Sequence, residues 1–416
     1  MSLVKLIRWT QCVHATVVER VDVSCDVGKI VVTAKVRPVK HRRSRCSQCG
    51  KRCPRYDNGG GLRSWRGLDL GPAVVYLQGQ APRVSCREHG VVVAETPWAR
   101  PNVRFTRAFD DHATWLAARM AVSTVAVYLR STWRSVIGAV ARVTSELAGA
   151  TDRLSGLRRI GIDEVSYRKG HRYILRVVDH DSGRQVWAGE GANQDTLRAF
   201  FDALGPQRAS ELTHVTSDGA EWIHTVVKDR AMRAKLCMDP FHVVQWATKA
   251  IDAVRRRVQG DLTRAGRPEQ AKSLKGSRWA LLKNLFELSG DQKATLAGIQ
   301  RDNKLLYRAY LLKEQLRYVF SAGTPGRAKS LLAGWLAWVK RSRIPEFTAV
   351  ATTVEKMRDL IWNSLDTGLS NALSEATNNH LRLLTRRAYG YRSAEALIAM
   401  SELTLGGLCP PLPGRP

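Results

Sequence analysis

Short runs rich in Ile, Val and Tyr follow Arg158, within RRIGIDEVSYRKGHRYILRVVDHDSGRQVWAGE. They are separated by the turn-forming groups Lys169-Gly170-His171 and Asp181-Ser182-Gly183, which predicts three antiparallel strands over 160–164, 173–179 and 184–188. Beyond them the apolar period lengthens. A helix is expected over 196–204, then a short strand ending at Ser217-Asp218-Gly219, a helix over 221–229 and a strand over 235–238. Asp239-Pro240-Phe241-His242 opens the next helix. After Asp239, helical periods recur at 241–258, 278–288, 304–319, 328–340 and 350–365, where Trp335 and Trp338 read as core. The segments 260–276 and 324–327 read as weak loops, where DNA-facing disorder is expected. A last polar-faced helix begins near Ser370, in SNALSEATNNHLRLLTRRAYGYRS. Its Glu375, Asn378, Asn379 and Arg382 are expected on one face, with Leu373, Ala376, His380 and Leu383 nearer the other.

The first third has a different texture. Residues 10–40 alternate in β-type runs, clearest over 25–36, and PWARPNVRFTRAFD at 97–110 reads as a linker carrying an exposed arginine series. Three short helices follow, with Thr106, Ser123 and either Ser131 or Thr132 as candidate caps. They suit a helix-turn-helix, in which Arg134 and Arg142 on the third helix would meet DNA; a plain helical connector has the same pattern. Three antiparallel strands followed by alternating helix and strand is the order of a ribonuclease-H-like core. The expected fold is therefore multidomain α+β. A β-rich zinc ribbon domain spans 1–96 and a linker with helix-turn-helix 97–150. The ribonuclease-H-like α/β catalytic core begins at 151–258, is interrupted by a helical insertion at 259–365, and ends in a C-terminal helix and tail at 366–416.

Charge narrows the function. Across 416 residues, 66 Lys and Arg oppose 37 Asp and Glu, a formal net charge of +29, which favours an anionic partner and nucleic acid before membrane. A hydrophobic share of 44% excludes wholesale disorder. No run approaches the length of a membrane span and MSLVKLIRWTQC lacks a signal-peptide core, so a cytoplasmic protein is expected, nucleoid-associated when bound to DNA.

Four of the eight cysteines cluster, which points to metal rather than to disulfides. Cys46-Ser-Gln-Cys49-Gly and Cys86-Arg-Glu-His89-Gly have equal gaps and a following glycine, as two knuckles of one tetrahedral zinc site would. Cys53 competes as fourth ligand, and unligated buried cysteines are the plainer reading. Nine Lys or Arg and no acid lie between Lys35 and Arg55, either a solvated face or a phosphate-facing one. Asp163 in the first core strand and Asp218 after the fourth can deliver carboxylates to divalent ions, although acid-bounded strands are common. Glu375 is the candidate third acid or an ordinary solvent-facing one. Asp179 and Asp181, at the strand-joining turn, read as solvent-facing.

Taken together, CSQCG, CREHG, PWARPNVRFTRAF, GIDEVSYRKGHRYILRVVD, TSDGAEW, MDPFHVVQWA and EATNNHLRLLTRRAYGYRS resemble the ISL3-type group of DDE transposases. The resemblance implies a catalytic triad of Asp163, Asp218 and Glu375 binding two Mg2+, or Mn2+, with Asp239 and His242 supporting it. It also implies one structural zinc on Cys46, Cys49, Cys86 and His89, with Cys53 as the substitute ligand. Arg134, Arg142, Arg382, Arg386 and Arg387 are the candidate DNA contacts. The implied partners are double-stranded DNA with terminal inverted repeats, target DNA, and further copies of the chain in a homodimer or larger assembly, with no membrane. A ribonuclease-H-like nuclease or junction resolvase, and a domesticated DNA-binding regulator, are the competing readings.

The charge makes a prediction of its own. DNA affinity should fall linearly in log–log form with salt, the slope reporting the phosphates neutralised. A filter-binding titration that is flat from low to physiological ionic strength would refute it.

Overall fold

Ser2 accepts a hydrogen bond from the Lys5 amide and so starts α1 (Leu3–Thr10), a helix that the β-type alternation beyond residue 10 does not announce. The structure is a computed structural model that describes residues 2–26, 28–168, 170, 172–369 and 372–414, the side chains of Asp26 and 372–375 excepted. The predicted turn at Lys169 and His171, and the start of the last helix at Ser370, lie outside the described residues. The chain forms two compact units, Met1–Arg153 with Leu383–Pro416, and Leu154–Arg382.

In the first unit, β1 (Thr16–Asp26), β2 (Lys29–Pro38), β3 (Arg55–Asp57), β4 (Leu62–Arg66), β5 (Val74–Gln80), β6 (Arg83–Cys86) and β7 (Gly90–Val93) make two sheets. One has the order β1-β2-β5-β4 and buries Val32, Ala34, Val75 and Leu77 with Ile7 and Trp65. The other, β3-β6-β7, has a core of only Cys46, Cys53, Val84, Cys86 and Ala94.

The expected linker is instead packed. Trp98 and Ala99 are buried, and Arg100 is 7% exposed because Asp111 and Glu146 pair with it at 2.7 and 2.5 Å. Thr106 caps α2 (Arg107–Ala117) and Thr132 caps α4 (Trp133–Ala150), as expected. Between them α3 (Val122–Tyr128) starts from Ala121; Ser123 lies exposed inside the helix, not at its cap. The Arg142 guanidinium forks onto Asp110 at 3.0 and 2.7 Å, tying α4 to α2.

The second unit carries β8 (Arg159–Arg168), β9 (Arg172–Asp179), β10 (Gln185–Glu190), α5 (Gln194–Leu204), α6 (Pro206–Ala209), β11 (His214–Ser217), α7 (Glu221–Arg230) and β12 (Lys235–Met238). The sheet order is β10-β9-β8-β11-β12; only β9 runs against the others. Ile160, Ile162, Val177 and Val215 pack with Leu197, Phe200 and Val226 of the flanking helices. Asp179, expected at the surface, is buried because its carboxylate accepts the amides of Asp181 and Ser182 and closes the turn.

From Pro240 the chain is helical: α8 (Pro240–Arg264), α9 (Pro268–Gly276), α10 (Arg278–Leu282), α11 (Gly290–Asp302), α12 (Lys304–Val319), α13 (Pro325–Ser342), α14 (Pro345–Lys356) and α15 (Arg358–Thr367). Two expected loops are ordered. The segment 260–276 holds the end of α8 and all of α9, and Thr324 is the cap of α13, accepting the Arg327 amide. Trp335 is core, its Nε1 donating to the Leu312 carbonyl at 2.8 Å. The buried Lys313 ammonium donates to the Leu281 and Lys283 carbonyls at 2.6 and 3.1 Å, satisfying the end of α10. On α15, Asn363 and Ser364 donate to the Leu236 and Met238 carbonyls, covering the outer edge of β12. The last helices are α16 (Ala372–Arg387) and, in the first unit, α17 (Ala394–Leu405), which packs on α4. Among the described residues no helix is long and apolar enough to cross a membrane.

Asp110, fully buried between Arg100 and Arg142, anchors the helical part of the first unit. Asp110→Ala leaves both guanidiniums without it and should destabilise that unit by about 3 kcal/mol. The check is the urea midpoint of this transition, and an unchanged midpoint contradicts the anchoring role.

Candidate active site and metal centre

The turns flanking the small sheet build the metal centre. Gly50 and Gly90 adopt φ of +68° and +65°, a backbone that L side chains rarely adopt, and each reverses the chain after a Cys-x-x-Cys or Cys-x-x-His pair. The Gly50 amide donates to the Cys46 carbonyl at 2.9 Å and tightens the first knuckle. Cys49 Sγ lies 3.7 Å from Cys86 Sγ, and His89 Nδ1 lies 3.6 and 3.8 Å from Cys86 and Cys46 Sγ. All four ligand atoms fall within 4.8 Å of one another. With Zn–S bonds near 2.3 Å, the S–S edge of a tetrahedron is about 3.8 Å, so these spacings fit Zn2+ on Cys46, Cys49, Cys86 and His89. Hydrogen bonding from His89 is the main cause pulling the Cys86 thiol down to about 6, toward the thiolate a metal needs. Cys53 is buried beside this set but outside it, with its Sγ on the Lys51 carbonyl at 3.4 Å.

In the second unit, strand register gathers the acids. β8 and β11 pair Arg159 with His214, Ile160 with Val215 and Gly161 with Thr216. Two residues further along each strand, Asp163 comes level with Asp218. β11 and β12 pair Ser217 with Met238, so Asp239 is level with Asp218 in turn. Three aspartates therefore stand in a row across three neighbouring parallel strands, Asp163 midway along β8 and Asp218 and Asp239 just past the carboxyl ends of β11 and β12. Asp218 Oδ1 accepts the Ala220 amide at 3.0 Å, and Asp239 Oδ1 accepts the Phe241 amide at 3.1 Å as cap of α8. His242 Nδ1 lies 3.0 Å from Asp239 Oδ2, and that bond is the main reason the imidazole pKa rises. Burial pushes the Asp163 carboxyl up, opposed by Asn378, Arg176, the Glu164 amide and His242. Glu164 is pushed up to about 7, by burial first and then by Asp218 and Asp163.

Thr377 and Asn378 of α16 lie against this row: Asn378 Nδ2 donates to Asp163 Oδ2, and both residues accept from the buried Arg176 on β9. The buried stripe of α16 is Thr377, Leu381 and Leu384, while Ala376 and Leu383 are exposed. This corrects the expected division of faces, which set Ala376 and Leu383 on the side away from Glu375, Asn378, Asn379 and Arg382. Glu375 lies in α16, one turn before Asn378, and its side chain lies outside the described residues.

The remaining candidates separate. Arg134 is exposed in the first turn of α4, whereas Arg142 is committed to Asp110. Arg382, Arg386 and Arg387 are exposed; Arg382 donates to Asn379 and Arg387 to the Arg119 carbonyl. From sequence, Glu164 and Arg176 receive no role, and Asn378 is placed only on the polar face of the helix with Glu375. The available signal was Arg176 itself, a cation inside the otherwise apolar run YILRVV.

Residues 160–401 match a family described as transposase, of the ISL3 type. Residues 42–89 match the zinc finger of transposases IS204/IS1001/IS1096/IS1165, and 94–144 the helix-turn-helix domain of transposase family ISL3. The chain is similar to the transposase for insertion sequence element IS1557 of Mycobacterium tuberculosis, 48% identical over 404 residues, covering 92% of this chain and 90% of that protein. It is also similar to the transposase for insertion sequence element IS1001 of Bordetella parapertussis, 28% identical over 389 residues, covering 91% and 92%.

The metal centre predicts about one zinc per purified chain. Elemental analysis should find it lost in Cys46→Ser and Cys86→Ser and retained in Cys53→Ser. Full occupancy in a Cys46→Ser/Cys86→Ser double variant would overturn the ligand set.

Proposed function

Because the chain belongs to the ISL3 family of transposases, we propose that it binds the inverted terminal repeats of an insertion sequence and cleaves and rejoins DNA at a DDE centre. Its members are Asp163, Asp218 and Glu375. The observation that carries this reading is the parallel register bringing Asp163 level with Asp218, together with the Asn378 bond that ties α16 to Asp163. Glu375 lies one helical turn away from that bond. The sheet order, with β9 alone reversed, supports a ribonuclease-H-like core, and the helices of 259–365 form an insertion within it.

The donor set is carboxylate oxygen, which suits Mg2+ or Mn2+, and the three acids would hold two such ions. Asp163, Asp218 and Glu375 would hold the ions where their charge would lower the pKa of an attacking water or 3'-hydroxyl and stabilise the leaving 3' oxygen. In the first step a water oxygen bonds to phosphorus as the P–O3' bond breaks, leaving a 3'-hydroxyl and a 5'-phosphate. In the second, that 3'-hydroxyl attacks a target phosphodiester and a target 3' oxygen leaves. Asp163 and Asp218 serve both steps, so no covalent protein intermediate is required. Asp239 and His242 organise the start of α8 beside them.

The zinc ribbon and helix-turn-helix recognise the element ends, with Arg134 at the exposed start of α4 reaching DNA and Arg382, Arg386 and Arg387 neutralising phosphates. Two or more copies act together on DNA, in the cytoplasm at the nucleoid.

The test is a Mg2+ assay on labelled element-end DNA. Asp163→Asn, Asp218→Asn and Glu375→Gln should each nearly abolish cleavage and strand transfer, since an amide cannot replace the anionic ligand, while gel shifts of end DNA persist. Normal strand transfer by any one removes that residue from the centre. Cleavage without strand transfer by the wild type would favour a nuclease or resolvase, and end binding without either reaction a domesticated regulator.

A further inference from the structure

Arg176 and Asp163 are direct partners in the antiparallel β8–β9 register, so their side chains share one face of the sheet. A fully buried guanidinium beside a carboxylate would ordinarily fork onto it. Here it does not. Arg176 Nη2 donates to Thr377 Oγ1 at 3.1 Å and to Asn378 Oδ1 at 2.5 Å, and Asn378 Nδ2 donates to Asp163 Oδ2 at 2.5 Å. The other Asp163 oxygen accepts the Glu164 amide at 2.8 Å. An amide has been set between the two charges.

We propose that Asn378, held by Arg176, is a positioning residue that orients the Asp163 carboxylate for a divalent cation while keeping the guanidinium off it; this rests on reading Asp163 as a metal ligand. The chemistry fixes the amide in one orientation, because only its oxygen can face Arg176 and only its NH2 can face a carboxylate. Asp163 then has one donor on each oxygen. A carboxylate offers about four lone-pair sites, so two remain for a cation. A direct Arg176 fork would fill both oxygens and neutralise the charge that attracts the ion. The same bonds fasten α16 to both β9, through Arg176, and β8, through Asp163, which couples the helix carrying Glu375 to the strand carrying Asp163.

The two roles predict opposite outcomes when both residues are changed. The readout is the Mn2+ concentration giving half-maximal cleavage, beside Mn2+ binding to the full chain followed by electron paramagnetic resonance. Asn378→Ala removes the spacer, lets Arg176 reach Asp163, and should raise the half-saturating Mn2+ about 10-fold or more, with end-DNA binding unchanged. Adding Arg176→Met should then move that concentration back toward the wild-type value, because the competing cation is gone. A purely structural role makes the double variant worse than Asn378→Ala, and that result overturns the proposal. Should the double variant not fold, Asn378→Ala alone decides: an unchanged Mn2+ requirement is fatal to the relay. Asp163→Asn runs as the control, since wild-type Mn2+ binding there refutes the metal-ligand reading, whereas loss there with an unaffected Asn378→Ala refutes only the relay.

Discussion

The parallel register of β8, β11 and β12 is the constraint from which the site follows. A slip of one residue in any of the three would send its aspartate to the opposite face, because side chains alternate along a strand. The register is held by the packing of Ile160, Ile162 and Val215, and on the outer strand by the Asn363 and Ser364 bonds to the Leu236 and Met238 carbonyls. Burial pushes the Asp163 carboxyl up, and burial followed by the charges of Asp218 and Asp163 pushes Glu164 up. Among the described residues His242 and Arg176 lie close to these acids, and each is held by a neighbouring side chain, Asp239 and Asn378 respectively.

The first unit solves a different problem. Three of the five buried residues in the small sheet's core are cysteines, so the sheet has little apolar surface with which to hold itself together. Metal ligation supplies what packing does not, as in other small metal-bound domains. The neighbouring helices rely on charge: Arg100, Arg107 and Arg142 converge on Asp110, Asp111 and Glu146. Those three arginines are internal structure balanced by three acids, and exposed ones such as Arg134 and Arg386 are those the proposed function assigns to phosphate.

Local pattern made much of this legible. Strand 235–238 is observed as Lys235–Met238, Asp239 caps the following helix, and the two equally spaced knuckles converge as their spacing required. Partnerships across the chain were not legible. Arg142 on a helix beside candidate DNA contacts looks the same in sequence whether it meets a phosphate or Asp110, 32 residues away. Arg176 and Asn378 meet across 202 residues, a contact no periodicity encodes. On α16 the apolar residues Ala376 and Leu383 are exposed while Thr377 is buried, because its hydroxyl has the Arg176 guanidinium as partner and apolar spacing does not register such a pair. The 97–110 bridge was misjudged for a related reason, since a buried arginine with carboxylate partners reads as exposed.

The central claim is that Asp163, Asp218 and α16 share one divalent-ion site. Fe2+ substituted for Mg2+, with ascorbate and peroxide, cuts a polypeptide chain beside the bound ion, and mass spectrometry locates the cuts. The account predicts Mg2+-competable cleavage near Asp163, near Asp218 and within α16 around Glu375. Cuts near Asp163 and Asp218 with none in α16, or cuts that Mg2+ does not suppress, would contradict it.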